Sequence, residues 1–194
     1  MSTIQILKKE TLSERKYPLQ YITFEKPDEL GEFHNLAKEV YFRPDAVAVL
    51  LVDKGQQKIL LTKQFRLATF LNGNDSGYLV EACAGLIDED ETPEQTARRE
   101  AAEETGYEIG DLEKIGGAFS SPGGTTEFMH LFIAAYQSAT DHQKFGGLKA
   151  EGESIELIEL GFDEAKQQLT AGAFRDLKTI LLLQYFFLNH PQPR

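Results

Sequence analysis

The run from Gly85 to Tyr107 constrains this chain more than any other part of it. It specifies a loop, a helix start, a helix and a helix stop in consecutive residues. Thr92 can cap, Pro93 suits the first helical position, and Gln95 stands where a capping box takes Glu or Gln. Gly106 fits a left-handed stop. Roughly 13 helix-forming residues lie between, about 20 Å of helix at 1.5 Å per residue. That helix carries Glu100, Glu103 and Glu104, and residues three and four apart are neighbours on one face. Like charges packed there repel, so helix stability alone does not favour the arrangement. A generic acidic string of this kind is more often a solvated face. A hard divalent cation ligated by carboxylate oxygens is the functional alternative. Metal-assisted attack of water on a phosphate ester or anhydride is the chemistry that suits such a site. Arg99 can pair with Glu91 and keep the loop against the helix, and Gly85 lets backbone approach metal or phosphate closely.

Charge narrows the partners. The net charge is −11. Residues 1–43 carry seven Lys/Arg and seven Asp/Glu, so the whole excess falls on the remainder. A nucleic-acid binder would show a basic stripe instead, and an anionic substrate must arrive with metal and meet specific cations. The apolar run from Thr179 to Leu188 is interrupted by Gln184, and no run approaches a membrane span. The start, MSTIQILKKE, lacks an apolar signal core, and the single cysteine, Cys83, fits a reducing cytosol. Neither nucleic acid nor membrane is expected as a partner, and the expected location is cytoplasmic. Cys83, in an apolar run, reads as a buried small hydrophobe ahead of a nucleophile.

Periodicity and punctuation give the organisation. Strands are expected at Ile4–Leu7, Leu19–Phe24 and around Val40–Phe42, with turns at Pro18, Pro27 and Gly31. Asp45–Val52 is a continuous apolar run, typical of a strand buried on both faces. Lys58–Phe65 reads as its hairpin partner. Further strands are expected at Tyr78–Ala84, Glu127–Tyr136 and Ile155–Leu160, and helices at Phe162–Leu169 and Asp176–Asn189. The fold class is α+β: a mixed sheet between helices, preceded by an N-terminal antiparallel β-sheet extension. Residues 1–43 form a β dimerisation subdomain on this reading, and residues 44–194 a catalytic domain.

The full pattern, G-x5-E-x7-R-E-x-x-E-E-x-G followed by a bulky residue, resembles the box of the Nudix hydrolases, with every fixed position filled. The resemblance implies the Nudix fold, Mg2+ (or Mn2+), and hydrolysis of a nucleoside diphosphate linked to another group. It implies catalytic roles for Arg99, Glu100, Glu103, Glu104 and Glu127. The expected metal ligands are the Ala84 carbonyl, Glu100, Glu104 and Glu153, with Glu151 as the fallback for Glu153. Glu127 follows Ser120-Ser-Pro-Gly-Gly124, a Gly-rich loop that resembles those of nucleotide-sugar hydrolases. It is expected to orient water as a base or to touch substrate.

The strings Gln64-Phe65-Arg66 and Asn72-Gly-Asn-Asp-Ser-Gly77, and the Phe174-Arg-Asp segment, resemble the bacterial GDP-mannose pyrophosphatase subgroup. That resemblance implies cleavage of GDP-mannose to GMP and mannose 1-phosphate by a homodimer. Its N-terminal strands would help form the partner's site. Tyr17, Lys38, Glu39, Arg66, Ala84, Gly85, Leu86, Glu104, Glu127, Gly152, Glu153 and Lys178 are then the expected substrate contacts. Ala37 and Gly152 are less polar than the subgroup pattern. Two alternatives stay open at this point, an ADP-ribose pyrophosphatase and a non-catalytic module that binds a nucleotide sugar.

Overall fold

The computed structural model describes residues 3–137, 145–147 and 154–190. The chain divides into two compact units. One comprises Met1–Asp45 with Ala118–Met129, and the other Ala46–Gly117 with His130–Arg194.

The first unit holds an antiparallel three-stranded sheet of β1 (Gln5–Ser13), β2 (Leu19–Pro27) and β3 (Phe33–Tyr41), in that order. The third strand begins at Phe33, earlier than expected, and pairs with β2 in unbroken register from Leu19↔Tyr41 to Pro27↔Phe33. The turn before it is built by Asp28, whose carboxylate accepts from the amides of Leu30 and Glu32, both at 2.9 Å. Within these strands only Ile22 is fully buried. Ile4, Ile6, Leu7, Leu12, Phe33 and Leu36 are exposed.

The larger sheet is mixed. Its order is β10 (Phe145–Gly146), β11 (Ile155–Gly161), β5 (Lys58–Phe65), β4 (Ala46–Asp53), β9 (Phe128–Ala135), β8 (Leu112–Phe119). Every residue of β4 is buried, as its unbroken apolar run requires. Val47, Val49 and Leu51 on one face pack with Ala97 and Ala101 of helix α2 (Pro93–Thr105) and with Phe132, while α4 (Leu177–Asn189) also packs on β4. Helix α3 (Phe162–Thr170) lies against α4 and β11. Among the described residues no helix is long and apolar enough to cross a membrane.

One departure from expectation matters for the site. The single strand expected at Tyr78–Ala84 is two strands, β6 (Tyr78–Glu81) and β7 (Cys83–Leu86). Strands β4 and β5 pair at residues 51–53 with 58–60, beside the turn. Further along, β6 pairs with β5 and β7 with β4. The segment therefore crosses a fork between two strands, with Ala82 at the crossing. Ala82 N–H donates to Thr179 Oγ1 of α4 at 2.7 Å, which satisfies a buried amide between the two strands. The crossing delivers Ala84, Gly85 and Leu86 beneath α2.

Candidate active site

Helix α2 starts and stops as its residues dictate. Gln95 N–H donates to Thr92 Oγ1 at 3.2 Å, and Thr92 N–H donates to Gln95 Oε1 at 2.8 Å, closing the capping box. Gly106 ends the helix at φ 74°, in the left-handed region that favours glycine. The fixed frame sets the side chains of Glu100, Glu103 and Glu104.

Gly85 is a contact position. A Cβ there would fall onto the carboxyl group of Glu100, so only glycine lets β7 run this close to the helix. Glu104 is 5% exposed, and burial pushes its carboxyl up from the ordinary 4.5 to about 7. Three donors oppose that shift: the Cys83 thiol, Gln64 Nε2 at 2.7 Å from Oε1, and Ala84 N–H at 3.1 Å from Oε2. Burial also raises the Cys83 thiol well above its usual range, so Cys83 stays a protonated donor, inert as a nucleophile.

Arg99 is the hub of the acidic face. Its Nε lies 2.9 Å from Glu91 Oε1, its Nη1 lies 2.7 Å from Glu100 Oε1 and 3.0 Å from Glu103 Oε2, and its Nη2 lies 3.2 Å from the Leu86 carbonyl. These bonds hold Glu91 down to about 2, with a further bond from the Thr96 hydroxyl. The second unit thus brings together Ala84, Gly85, Leu86, Glu91, Arg99, Glu100, Glu103 and Glu104. The donor set is hard oxygen throughout, and the Gly85 cradle leaves backbone beside carboxylate. Both features fit Mg2+ or Mn2+.

Beside this cluster, Arg66 at the end of β5 and Lys178 at the start of α4 both bond to Glu81, each at 2.6 Å. In the first unit, Glu127 is buried, accepts from Ser120 Oγ at 2.8 Å and pairs with Arg43 Nε at 3.1 Å. Arg43 in turn lies over the ring of Tyr17, 5.7 Å from its centroid. Lys38 and Glu39 are exposed on β3. Gly152, Glu153 and the fallback Glu151 lie outside the described residues. Just before them, Gly147 N–H donates to the Glu103 carbonyl at 3.1 Å, at the C-terminal end of α2.

Gln64, Glu81, Cys83 and Arg43 were not singled out as site residues by sequence reasoning. Each acts through a partner distant in sequence. For Gln64 the one signal was its place in the Gln64-Phe65-Arg66 string noted above, since Lys58, Thr62 and Lys63 make β5 polar elsewhere too.

The raised Glu104 carboxyl sets an expected pH dependence. Its proton must leave before it can ligate a cation, so divalent affinity should climb about tenfold per pH unit below 7 and level off above. Without metal the sign reverses. A folded-state value above 4.5 contributes stability that is complete in acid and is lost as pH rises through about 7. Glu91 works the other way, contributing stability above 4.5 that is lost as pH falls through about 2. Mn2+ titrations from pH 5.5 to 8 check the first statement, and a flat affinity would remove Glu104 from the ligand set.

Comparison with known proteins follows the same lines. The NUDIX domain model matches residues 42–183. A protein of Cronobacter sakazakii described as GDP-mannose pyrophosphatase is 44% identical over 186 residues, covering 96% of each chain. One of Salmonella paratyphi B with the same description is 43% identical over 188 residues, covering 97% of each. Among solved structures, an ADP compounds hydrolase superposes with a TM-score of 0.71 at 18% identity, covering 98% of this chain and 97% of its own. At that identity it speaks for the fold.

Proposed function

Since the chain belongs to the NUDIX family and is a pyrophosphohydrolase, we propose that it cleaves the diphosphate of GDP-mannose, with Mg2+, to give GMP and mannose 1-phosphate. The observation that carries the chemistry is the acidic cluster gathered by Arg99 against Gly85. The substrate rests on relatives matched over nearly their full length and described as GDP-mannose pyrophosphatases. A non-catalytic binding module is set aside, because family and relatives are hydrolases.

Glu100, Glu104 and the Ala84 carbonyl would hold the ion, with Glu153 completing the set and Glu103 in support. A divalent ion supplies Lewis-acid stabilisation of the charge that develops on the phosphoryl oxygens. The protein's part is placement. Arg99 fixes the carboxylates, Arg66 and Lys178 meet diphosphate oxygens, and Glu127 orients water or touches substrate. Incubation of the purified protein with GDP-mannose, ADP-ribose and other nucleotide sugars, with product identification, tests the reading. Preference for ADP-ribose, yielding AMP and ribose 5-phosphate, would reassign the substrate and leave the metal chemistry in place.

We further infer a homodimer through the N-terminal strands, with residues 1–43 as the dimerisation subdomain and 44–194 as the hydrolase domain. Tyr17, Lys38 and Glu39 would then serve the site of the second copy. Two features of β1–β3 support this. Their apolar side chains are largely exposed, and the sheet has two edge strands, β1 and β3, the latter bridged to Thr125 at its last residue, Tyr41. Deletion of residues 1–43 is expected to give aggregated or inactive protein. A monodisperse monomer with unchanged kcat/KM would overturn the shared site without touching the metal assignment. A cytoplasmic setting rests on the single buried cysteine.

A further inference from the structure

Glu81 ends β6 and is 4% exposed. A buried carboxylate persists only when it is paired and hydrogen-bonded. Both of its oxygens are used. Oε2 accepts from Arg66 Nε and Oε1 from Lys178 Nζ, each at 2.6 Å. Lys178 also reaches Asp176 Oδ1 at 3.0 Å, and Asp176 is held as the N-cap of α4 by the Thr179 amide at 3.0 Å from Oδ2. The end of β5, the end of β6 and the start of α4 therefore meet on one carboxylate.

The two cations differ in a telling way. The Lys178 side chain is 11% exposed and that of Arg66 is 40% exposed. Arg66 is gripped at Nε, and among the described residues neither of its terminal nitrogens has a protein partner. A guanidinium held by that edge keeps its terminal fork for two oxygens of a phosphate group. Glu81 thus decides which edge of Arg66 faces outward and how far the ammonium of Lys178 stands from it. Stability alone is a weak reason for this arrangement, since apolar packing often replaces a buried ion pair without loss.

We propose that Glu81 is a positioning residue for the diphosphate, holding Arg66 and Lys178 as a fixed cation pair. This rests on the reading of those two cations as substrate contacts. Steady-state kinetics with GDP-mannose and Mg2+ on Glu81→Gln, Arg66→Ala, Lys178→Ala and the Glu81→Gln/Arg66→Ala double variant tests it. Glu81→Gln keeps the shape and removes the charge. It is expected to raise KM about tenfold or more with a smaller change in kcat. In the Arg66→Ala background its effect should shrink to about threefold or less, because little is left to position. If Arg66→Ala and Lys178→Ala leave KM unchanged, the substrate-contact reading fails, and the positioning role fails with it. If they raise KM while Glu81→Gln does not, or if the effects simply multiply, the positioning role alone is overturned. Should Glu81→Gln fail to fold, Glu81→Asp carries the same cycle with the same outcomes.

Discussion

Replacing Glu104 by Gln is expected to lower kcat about 10²-fold or more at saturating Mg2+, equivalent to roughly 2.7 kcal/mol of transition-state stabilisation. The side chain is buried and held by the amide of Gln64, the N–H of Ala84 and the thiol of Cys83. An amide in its place keeps the volume but removes the charge. It also turns an NH2 donor toward one of those three donors, where both carboxylate oxygens had accepted. Turnover measured across a Mg2+ titration separates weakened ion binding from a lost catalytic contribution. Near-normal kcat at saturation would take Glu104 out of the catalytic set.

Arg99→Ala is expected to damage stability and turnover together. The guanidinium bonds Glu91, Glu100, Glu103 and the Leu86 carbonyl, so its removal leaves three carboxylates and a carbonyl facing one another. Breaking a part-buried network of this kind costs about 3 kcal/mol. For a chain of this size that lowers Tm by roughly 6–12 °C. Because Glu100 and Glu103 lose their common anchor, kcat should fall as well. Thermal melts and kinetics on the same preparation check both. A lowered Tm with intact kcat would leave Arg99 a structural role only. Arg99→Lys should recover part of the charge effect and little of the geometry, since an ammonium cannot span these partners as a fork does.

Helix α2 was legible to the residue, because its capping box, its proline and its glycine stop are all local signals. Strand β4 was legible from its apolar run. Strand β8 was not, since glycines at 116 and 117 and a mostly exposed surface give it no alternating pattern. The short helix α1 (Leu67–Leu71) lies in a turn-rich stretch and lacks a side-chain cap, so nothing local announces it. The break at Ala82 also escaped. The residues from Tyr78 to Ala84 read equally well as one strand, and the division comes from two partners, β5 and then β4, with the Ala82 amide at the crossing satisfied by a hydroxyl on a distant helix. The same applies to the site. The carboxylates of α2 stand out in sequence, while Gln64, Glu81 and Arg43 gain their importance only from partners that folding brings to them.

The forked sheet also bears on when activity can arise as the chain folds. Residues 78–86 have nowhere to insert until β4 and β5 have formed their hairpin, and Ala82 waits for Thr179, which follows 97 residues later. Pairings that distant must overcome loop closure before any contact offsets it, so they form late. Ala84 and Gly85 lie beyond the crossing, next to Glu104 and Glu100. A nascent chain can therefore carry the whole acidic helix and still lack the surface that makes it a site. In refolding, hydrolysis should return with the slowest structural phase rather than with the early helical signal, which would make activity a reporter of completed folding.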